Sequence, residues 1–363
     1  MDGLPNAKVP GVRGRALKLR APTGRRPDLD YIRAAAVLAV VLFHLDAPGF
    51  ARGFVGVDIF FVLSGYLITE LVAAGHYASI GDFYAARLWR LGPALAVVVL
   101  STLVVFLGAG LAADRGALLA SGAASLLFLG NIRLAAAHGL YAGQELARDP
   151  FTHLWTLGVE AQFYLTWPAL LFALRGRRGV LAILATAIAA ASFGLCQVVA
   201  AHDQPLAFFS FPSRAWEFMA GAIVALAPKL ERRTIRRIAV AAGCGVSLAA
   251  LALVGPVDAY PGVSALLPTC GAALILLGLR SNAVSAAAHL FPSAVAAFGR
   301  LSYDWYLWHW PLLVVLQRFD PTAGWPARVT AEAVALALAG ASHRFLGHPI
   351  AIGRRRDRLT EKG

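Results

Sequence analysis

One histidine stands in the first hydrophobic segment of the chain, where ionisable side chains are costly. The segment reads DLDYIRAAAVLAVVLFHLDAPG. Helical spacing places Arg33, Val37, Val40 and His44 on one stripe, with His44 toward the outer end. Because imidazole titrates near neutral pH, His44 is our candidate for the catalytic group. The alternative is a histidine whose ring is satisfied by a neighbouring carbonyl near the helix end.

Two arginines follow in the stretch FYAARLWRLGP. Arg87 and Arg90 are three residues apart and share one face as the next helix begins. Paired guanidinium groups suit bidentate binding of phosphate. The alternative is the ordinary positive charge of a cytoplasmic loop.

Two acids also lie inside apolar segments. Asp58 belongs to GFVGVDIFFVLSGYLITELV, whose glycines allow close helix approach, and Glu160 to HLWTLGVEAQFYLTWPALL. Asp58 could instead be a packing partner for an arginine. Ser64 precedes Gly65 and Tyr66 inside this helix, without the strand-turn-helix context of a nucleophile elbow, so it is not a candidate nucleophile.

Later segments contain an arginine–glutamate pair and a run of aromatic residues. Arg214 and Glu217, three residues apart, could form a neutralised internal ion pair. The run LSYDWYLWHWPLLVV contains Tyr303 and His309 and suits stacking on a sugar or an organic group, or a structural aromatic cluster. The other candidates for ligand contact or structural roles are Arg33, Tyr66, Trp155, Gln162 and Tyr164.

The composition indicates the class of protein whose elements position these residues. Of the 363 residues only 15% are charged, against about 25% in soluble domains, while 58% are hydrophobic and the mean hydropathy is +0.65. These values exclude intrinsic disorder and a soluble globule and indicate a polytopic membrane protein. The net charge of +13 lies in short arginine clusters between apolar runs, which favours anionic lipid over nucleic acid. The three cysteines, all in apolar runs, are interpreted as small buried hydrophobic residues, and no metal site is expected.

Apolar runs of about 20 residues predict membrane-spanning helices. They cover about 31–49, 54–74, 91–113, 154–174, 179–201, 213–228, 238–257, 259–279 and 299–318, with a weaker one at about 327–347. Placing the basic loops inside leaves 116–134 as a re-entrant or interfacial segment. We therefore predict an all-α bundle of about ten spans, with eleven as the alternative. The membrane domain is 30–350, and basic cytoplasmic tails are predicted at 1–29 and 351–363.

These segments, in this order, resemble the acyltransferase 3 family of integral membrane acyltransferases. The matches are LDYIRAAAVLAVVLFH, GFVGVDIFFVLSGYLIT, FYAARLWRLGP, HLWTLGVEAQFY, SRAWEFMAGAIVA and LSYDWYLWHWP. The resemblance implies a ten-helix membrane domain that transfers an acyl group, usually acetyl, from acyl-CoA to a hydroxyl of a carbohydrate or related acceptor.

By this resemblance, His44 takes the place of the family's essential histidine. Arg87 and Arg90 take the place of its paired cytoplasmic arginines, and the intramembrane acids match Asp58 and Glu160. The later motifs contain Arg214, Tyr303 and His309. We expect the arginine pair to bind acyl-CoA, His44 to be the base or the acyl carrier, and one of the two acids to support the imidazole.

The resemblance also implies partners and a location. We expect acyl-CoA as co-substrate, no bound cofactor, a carbohydrate or glycolipid acceptor, membrane lipid, and a bacterial inner membrane with both chain termini cytoplasmic. Where family members often have Glu-x-Pro after the last span, this chain has Leu346, Gly347, His348 and Pro349. The alternative function is a transporter or flippase of a lipid-linked sugar, although the arginine pair beside a membrane histidine favours the enzyme.

Overall fold

The described part of the chain is helical throughout. The computed structural model describes residues 26–136, 148–255, 260–280 and 293–347, and within these ranges it contains α-helices and short 3₁₀ turns but no strand. The helices are α1 (Pro27–His44), α2 (Gly56–Ala73), α3 (Ile80–Gly108), α4 (Arg115–Leu126), α5 (Gly130–Ala136), α6 (Trp155–Ala173), α7 (Arg178–His202), α8 (Gln204–Phe209), α9 (Phe211–Leu226), α10 (Arg233–Leu253), α11 (Leu266–Leu279), α12 (Ser293–Phe319) and α13 (Trp325–Leu346). The all-α prediction is confirmed. Residues 1–25 and 348–363, which contain most of the predicted tails, lie outside the described ranges.

Each of the ten predicted spans overlaps a helix, although several boundaries differ from the prediction, and two of these differences bear on the site. α1 ends at His44 rather than near residue 49, because the chain turns at Asp46, which has a left-handed φ of 54°. α3 begins at Ile80, well before residue 91, because Ser79 and Asp82 form a reciprocal capping box. Arg87 therefore lies two turns inside a helix instead of at its start.

The segment 116–134 is divided between α4 and α5. Phe128, with a left-handed φ of 57°, lies between the two helices. α4 has 12 residues and is about 18 Å long, well short of the ~30 Å hydrocarbon core. Gly122 of α4 packs against Leu103 and Phe151, near the C-terminal end of α3 and the approach to α6. The fold agrees with a segment that does not cross; its re-entrant or interfacial position stays a prediction.

Length and apolar composition identify helices suited to a membrane. In the described ranges four qualify: Gly53–Ala73, Ile80–Gly108, Arg178–His202 and Arg233–Leu253. Large apolar side chains point outward along them, including Val104, Ile183 and Leu253, which are 71%, 70% and 72% exposed. A continuous apolar exterior of this kind belongs in lipid. The protein is thus a membrane protein, and the total of ten crossings stays a prediction.

Glycines bring the central helices into backbone contact. A Cβ at Gly65 of α2 would lie 1.9 Å from the carbonyl oxygen of Phe218 in α9, and one at Gly299 of α12 would lie 1.8 Å from that of Asp30 in α1. Only glycine permits such approach, as predicted for α2. These contacts lock α1, α2, α9 and α12 together, and α3 and α6 complete the wall around a central pocket.

Candidate active site

A pocket opens between α1, α2, α3, α6 and α12. Its empty space, counted with its open mouth, is about 830 Å³. Arg33, Arg87 and Arg90 contribute three guanidinium groups, and Glu160 is the single carboxylate among the lining residues. The apolar walls are Val57, Phe60, Phe61, Leu63, Leu67, Ile68, Leu91 and Leu157. The pocket therefore combines a cationic region with a mostly apolar slot.

The two arginines of α3 are held differently. Arg87 donates to the hydroxyl of Tyr77 at 2.8 Å, and its guanidinium lies 5.8 Å from the ring centroid of Tyr164. Arg90 is exposed and makes no side-chain hydrogen bond or ion pair with another described residue. The rigid guanidinium of Arg87 and the free one of Arg90 both face the pocket with Arg33, as the predicted phosphate-binding pair requires.

Glu160 is the acidic centre of the pocket wall. Ser64 donates to its Oε1 at 2.5 Å, and the hydroxyl of Tyr164 donates to the same oxygen. Glu160 is only half-buried, so its carboxylate remains accessible from the pocket. The structure thus groups Glu160 with the arginine pocket and does not bring it to His44.

The pocket lining ends at a buried pair of hydroxyls, Tyr306 and Thr156. The Tyr306 hydroxyl lies 2.5 Å from the carbonyl oxygen of His153, which can only accept, so the tyrosine donates there. Thr156 then donates to the Tyr306 oxygen across 2.8 Å. Tyr306 is one helical turn before His309, so these bonds separate the pocket from the histidines beyond it.

His44, the last residue of α1, faces His309 of α12. Its Nδ1 lies 3.1 Å from Nε2 of His309, and Nδ1 of His309 lies 2.7 Å from the carbonyl oxygen of Tyr306. The ring of Trp310 is 4.7 Å from that of His44, between centroids. His309 is fully buried, whereas His44 is half-buried. Sequence reasoning placed both histidines among the candidates but did not predict that they contact each other.

Asp58 belongs to a separate buried ionic triad. Arg214 contacts Asp58 and Glu217, each at 3.0 Å, and none of the three side chains is more than 1% exposed. The predicted pair of Arg214 and Glu217 is therefore present, joined by Asp58. Rings of Phe61, Trp155, Phe208 and Tyr260 surround the guanidinium at 5.5–5.9 Å.

The helix register places Asp58 away from His44. α1 and α2 are antiparallel, because Gly53 faces the carbonyl of Ala39 and Gly56 faces that of Ala36. Asp58, two residues further along α2, is thus about level with Ala34, ten residues before His44, an axial separation of about 15 Å. In the described residues the hydrogen-bond partner of the His44 ring is His309, not Asp58 or Glu160; a role of either acid toward His44 stays a prediction.

The other sequence candidates divide between pocket and scaffold. Tyr164 and Tyr303 line the pocket, and Tyr303 donates to the carbonyl of Leu91 at 2.8 Å. Three candidates are not among the lining residues: Tyr66 is fully buried, Trp155 packs on the triad, and Gln162 donates to Asn131 at 3.0 Å.

Some residues of the site were not among the sequence candidates, namely Thr156, His153, Tyr306 and Trp310. The run that contains His309 already carried the signal for Tyr306 and Trp310, which flank it in one aromatic motif. No described cluster of three or more His, Cys, Asp or Glu residues could hold a metal ion. Cys196 is buried, but Cys244 and Cys270 are exposed, which corrects the interpretation of all three as buried.

Comparison with known proteins decides the family. A family model described as an acyltransferase domain, that of acyltransferase 3, matches residues 26–342. The chain belongs to the acyltransferase 3 family. This match spans nearly all of the described helices and includes every residue of the pocket and of the histidine pair. No solved structure matches the chain.

Relatives of this acyltransferase 3 protein are bacterial. The chain is 35% identical over 298 residues to BcsY of Komagataeibacter xylinus, assigned as a membrane-bound transacylase, covering 81% of this chain and 74% of BcsY. It is 28% identical over 349 residues to the O-acetyltransferase OatA of Staphylococcus aureus, covering 89% of this chain but 57% of OatA. The peptidoglycan O-acetyltransferase OatA of Listeria monocytogenes is 27% identical over 350 residues, with 89% and 55% covered. The chain thus spans little more than half the length of the OatA proteins.

Proposed function

We propose that this acyltransferase 3 protein is a membrane-bound O-acyltransferase that moves an acyl group, most simply acetyl, from acyl-CoA to a hydroxyl of a carbohydrate or related acceptor. One observation carries the proposal. A pocket with three guanidinium groups at one end leads through a mostly apolar slot to within one helical turn of a histidine pair.

The charge of the pocket favours a polyanionic donor. Arg33, Arg87 and Arg90 outnumber Glu160, so the lining keeps a surplus of positive charge. Guanidinium groups bind phosphate oxygens in pairs, and coenzyme A carries several phosphates. The pantetheine arm, which is slender and partly apolar, then lies along the slot toward His44.

His44 acts on the acceptor as a general base. Its imidazole takes the proton of the acceptor hydroxyl while that oxygen attacks the thioester carbonyl. The carbon–sulfur bond breaks, the thiolate of CoA leaves, and the proton on His44 returns to the sulfur. In the alternative role as acyl carrier, the imidazole would attack the thioester first and pass the acyl group to the hydroxyl.

The helix order supports transfer across the bacterial inner membrane. Ten helices coincide with the predicted spans, and α4 and α5 remain near one end between α3 and α6. Ten crossings would place both termini on the cytoplasmic side, together with the arginine end of the pocket. The acceptor would then reach His44 from outside. Because OatA relatives are named O-acetyltransferases, one of them for peptidoglycan, a cell-surface polysaccharide is the first acceptor class to test.

The test compares cells that express wild-type protein, His44→Ala or His202→Ala. His202 is an exposed histidine at the end of α7 and serves as the matched control. Mass spectrometry of surface glycans and lipid-linked sugars should detect acetyl groups with wild type and His202→Ala, and none with His44→Ala. Acetylation that persists in His44→Ala would refute the role of His44.

A second experiment, on purified protein, tests the transporter alternative. Purified protein in nanodiscs should release CoA from acetyl-CoA only when an acceptor is added. Movement of a lipid-linked sugar across vesicle membranes without acyl-CoA, together with unchanged glycan masses, would favour a transporter instead.

A further inference from the structure

We propose that His309 is a positioning residue that holds His44 in the tautomer whose Nε2 is free to take a proton. The inference rests on the proposed function, because it assigns how the His44 imidazole is made ready for acyl transfer. It depends on two contacts, Nδ1 of His44 to Nε2 of His309 at 3.1 Å and Nδ1 of His309 to the Tyr306 carbonyl at 2.7 Å.

The hydrogen-bond partners determine both tautomers. A backbone carbonyl can only accept, so Nδ1 of His309 carries the proton that binds Tyr306. In a neutral imidazole the other nitrogen is then an acceptor, and Nε2 of His309 accepts from Nδ1–H of His44. Nε2 of His44 is left with its lone pair and without a proton. The protons on the two rings are thus ordered by a carbonyl that belongs to the α12 backbone.

His44 is also the most exposed residue of this histidine group. His153 lies beside His309 with ring centroids 5.3 Å apart, and its Nε2 is directed at the carbonyl of Leu307 at 3.3 Å. Nδ1 of His153 has no partner, but the residue is 4% exposed, so an acceptor hydroxyl cannot approach it. His44 is half-buried and stands at the end of α1, where α12 contributes Trp310 beside the ring.

A neutral imidazole in the orienting position has a chemical consequence. When Nε2 of His44 takes the proton of the acceptor hydroxyl, Nδ1–H of His44 still donates to the lone pair of His309, so the imidazolium remains hydrogen-bonded. The proton cannot continue to Tyr306, because a peptide carbonyl does not take it up. It therefore stays on His44 until the leaving thiolate of CoA accepts it. No carboxylate has to be buried beside the pair.

Substituting asparagine or glutamine for His309 tests its contact with Tyr306 and its contact with His44 separately. Glutamine places its amide oxygen near the position of Nε2 and can accept from His44, whereas asparagine places its amide near Nδ1 and can donate only to Tyr306. We expect His309→Gln to retain most of kcat. We expect His309→Asn to lose about 100-fold in kcat, within the 10²–10⁴-fold contribution of general base catalysis, with an unchanged KM for acetyl-CoA.

A spectroscopic measurement tests the tautomer itself. The full-length protein with ¹⁵N-labelled histidine in nanodiscs should give, for His44, a protonated Nδ1 and an unprotonated Nε2 at neutral pH. The resonance is assigned by its loss in His44→Ala. In His309→Asn the His44 proton should redistribute between the two nitrogens, and in His309→Gln it should remain on Nδ1. A purely structural role for His309 would leave the His44 tautomer unchanged in both variants.

The outcomes distinguish this inference from the proposed function. A wild-type protein with the His44 proton on Nε2 overturns the inference, whatever the variants do. If His44→Ala is inactive but His309→Asn is as active as wild type, the inference fails and the proposed function stands. If His44→Ala retains full transferase activity, the proposed function fails first. Because the wild-type spectrum needs no substitution at 309, a variant that does not fold leaves the test decisive.

Discussion

Arg90 offers the cleanest test of the proposed acyl-CoA pocket, because its removal disturbs so little else. It is exposed at the pocket, and no described residue forms a hydrogen bond or an ion pair with its side chain. Arg87 is less suitable, since its bond to Tyr77 also fixes the packing of α3. We therefore choose Arg90→Ala and expect a change in donor affinity without a change in folding stability.

The magnitude follows from the contacts that the free guanidinium can make. A hydrogen bond to a charged group contributes about 1.5–3 kcal/mol, and about 1.4 kcal/mol corresponds to a tenfold change in Kd. Because Arg90 is exposed, solvent screening favours the lower end, so the Kd for acetyl-CoA should rise about tenfold. The free energy of unfolding should stay within about 0.5 kcal/mol of wild type.

The assay measures acetyl-CoA binding by calorimetry and the melting temperature by intrinsic fluorescence, both on protein in nanodiscs. Arg175→Ala is the matched control, because Arg175 donates to the carbonyl of Tyr77 at 2.7 Å and lies 4.1 Å from the ring centroid of Phe172, outside the pocket. It should lower the melting temperature and leave the Kd unchanged.

A second donor shows whether the effect comes from phosphate. Acetyl-pantetheine lacks the phosphates of CoA, so Arg90→Ala should react with it as fast as wild type. Equal affinity of wild type and Arg90→Ala for acetyl-CoA would refute the assignment of this pocket to the donor. An equal loss with both donors would show that Arg90 acts on the fold instead of on phosphate.

Three further results are expected. Gly65→Ala would force α2 and α9 apart by about 1.5 Å and cost about 3 kcal/mol, whereas Gly194→Ala, with nothing near its Cβ, should be neutral or stabilising; thermal unfolding compares them. Asp58→Ala should cost about 3–5 kcal/mol by leaving a buried guanidinium undercompensated. Asp46→Asn removes an exposed ion pair and keeps a residue type that tolerates the left-handed backbone, so it should cost less than about 1 kcal/mol by the same measurement. Tyr306→Phe removes the bonds that close the pocket, so acyl-CoA hydrolysis without acceptor should increase, as followed by thiol release; unchanged hydrolysis would contradict that role.

The helices could be predicted from the sequence because lipid imposes a simple requirement. Any segment that crosses must satisfy its own backbone and be apolar for about 20 residues. This requirement locates all ten predicted helices, and i,i+3 spacing also predicted the contact of Arg214 with Glu217. The end of α1 at His44 depends on a left-handed turn, and the early start of α3 depends on a capping box. A prediction based on hydropathy gives such local signals little weight.

The partners across the site could not be predicted in the same way. His44 and His309 are 265 positions apart, and Asp58 and Arg214 are 156 apart, so neither contact has a periodic signal. The sequence offered two acids as candidates to support the histidine. Only the packing of the helices shows that Asp58 contacts an arginine and that the imidazole of His309 contacts His44.

The hydroxyl contacts of Tyr306 and Thr156 also bear on the electrical tightness of the membrane. In the proposed orientation the pocket opens to the cytoplasm and the histidine is reached from outside, and the two, if joined, would form an aqueous path for ions. Each elementary charge gains about 2.3 kcal/mol per 100 mV of membrane potential, so even a narrow path would dissipate the gradient. The tyrosine donates to a carbonyl and accepts from the threonine, so the protons of both hydroxyls are held in protein contacts and are not available to a chain of water. These contacts would keep the protein from conducting ions between turnovers. When they open, the pantetheine arm of the donor would occupy the space and block the passage of ions.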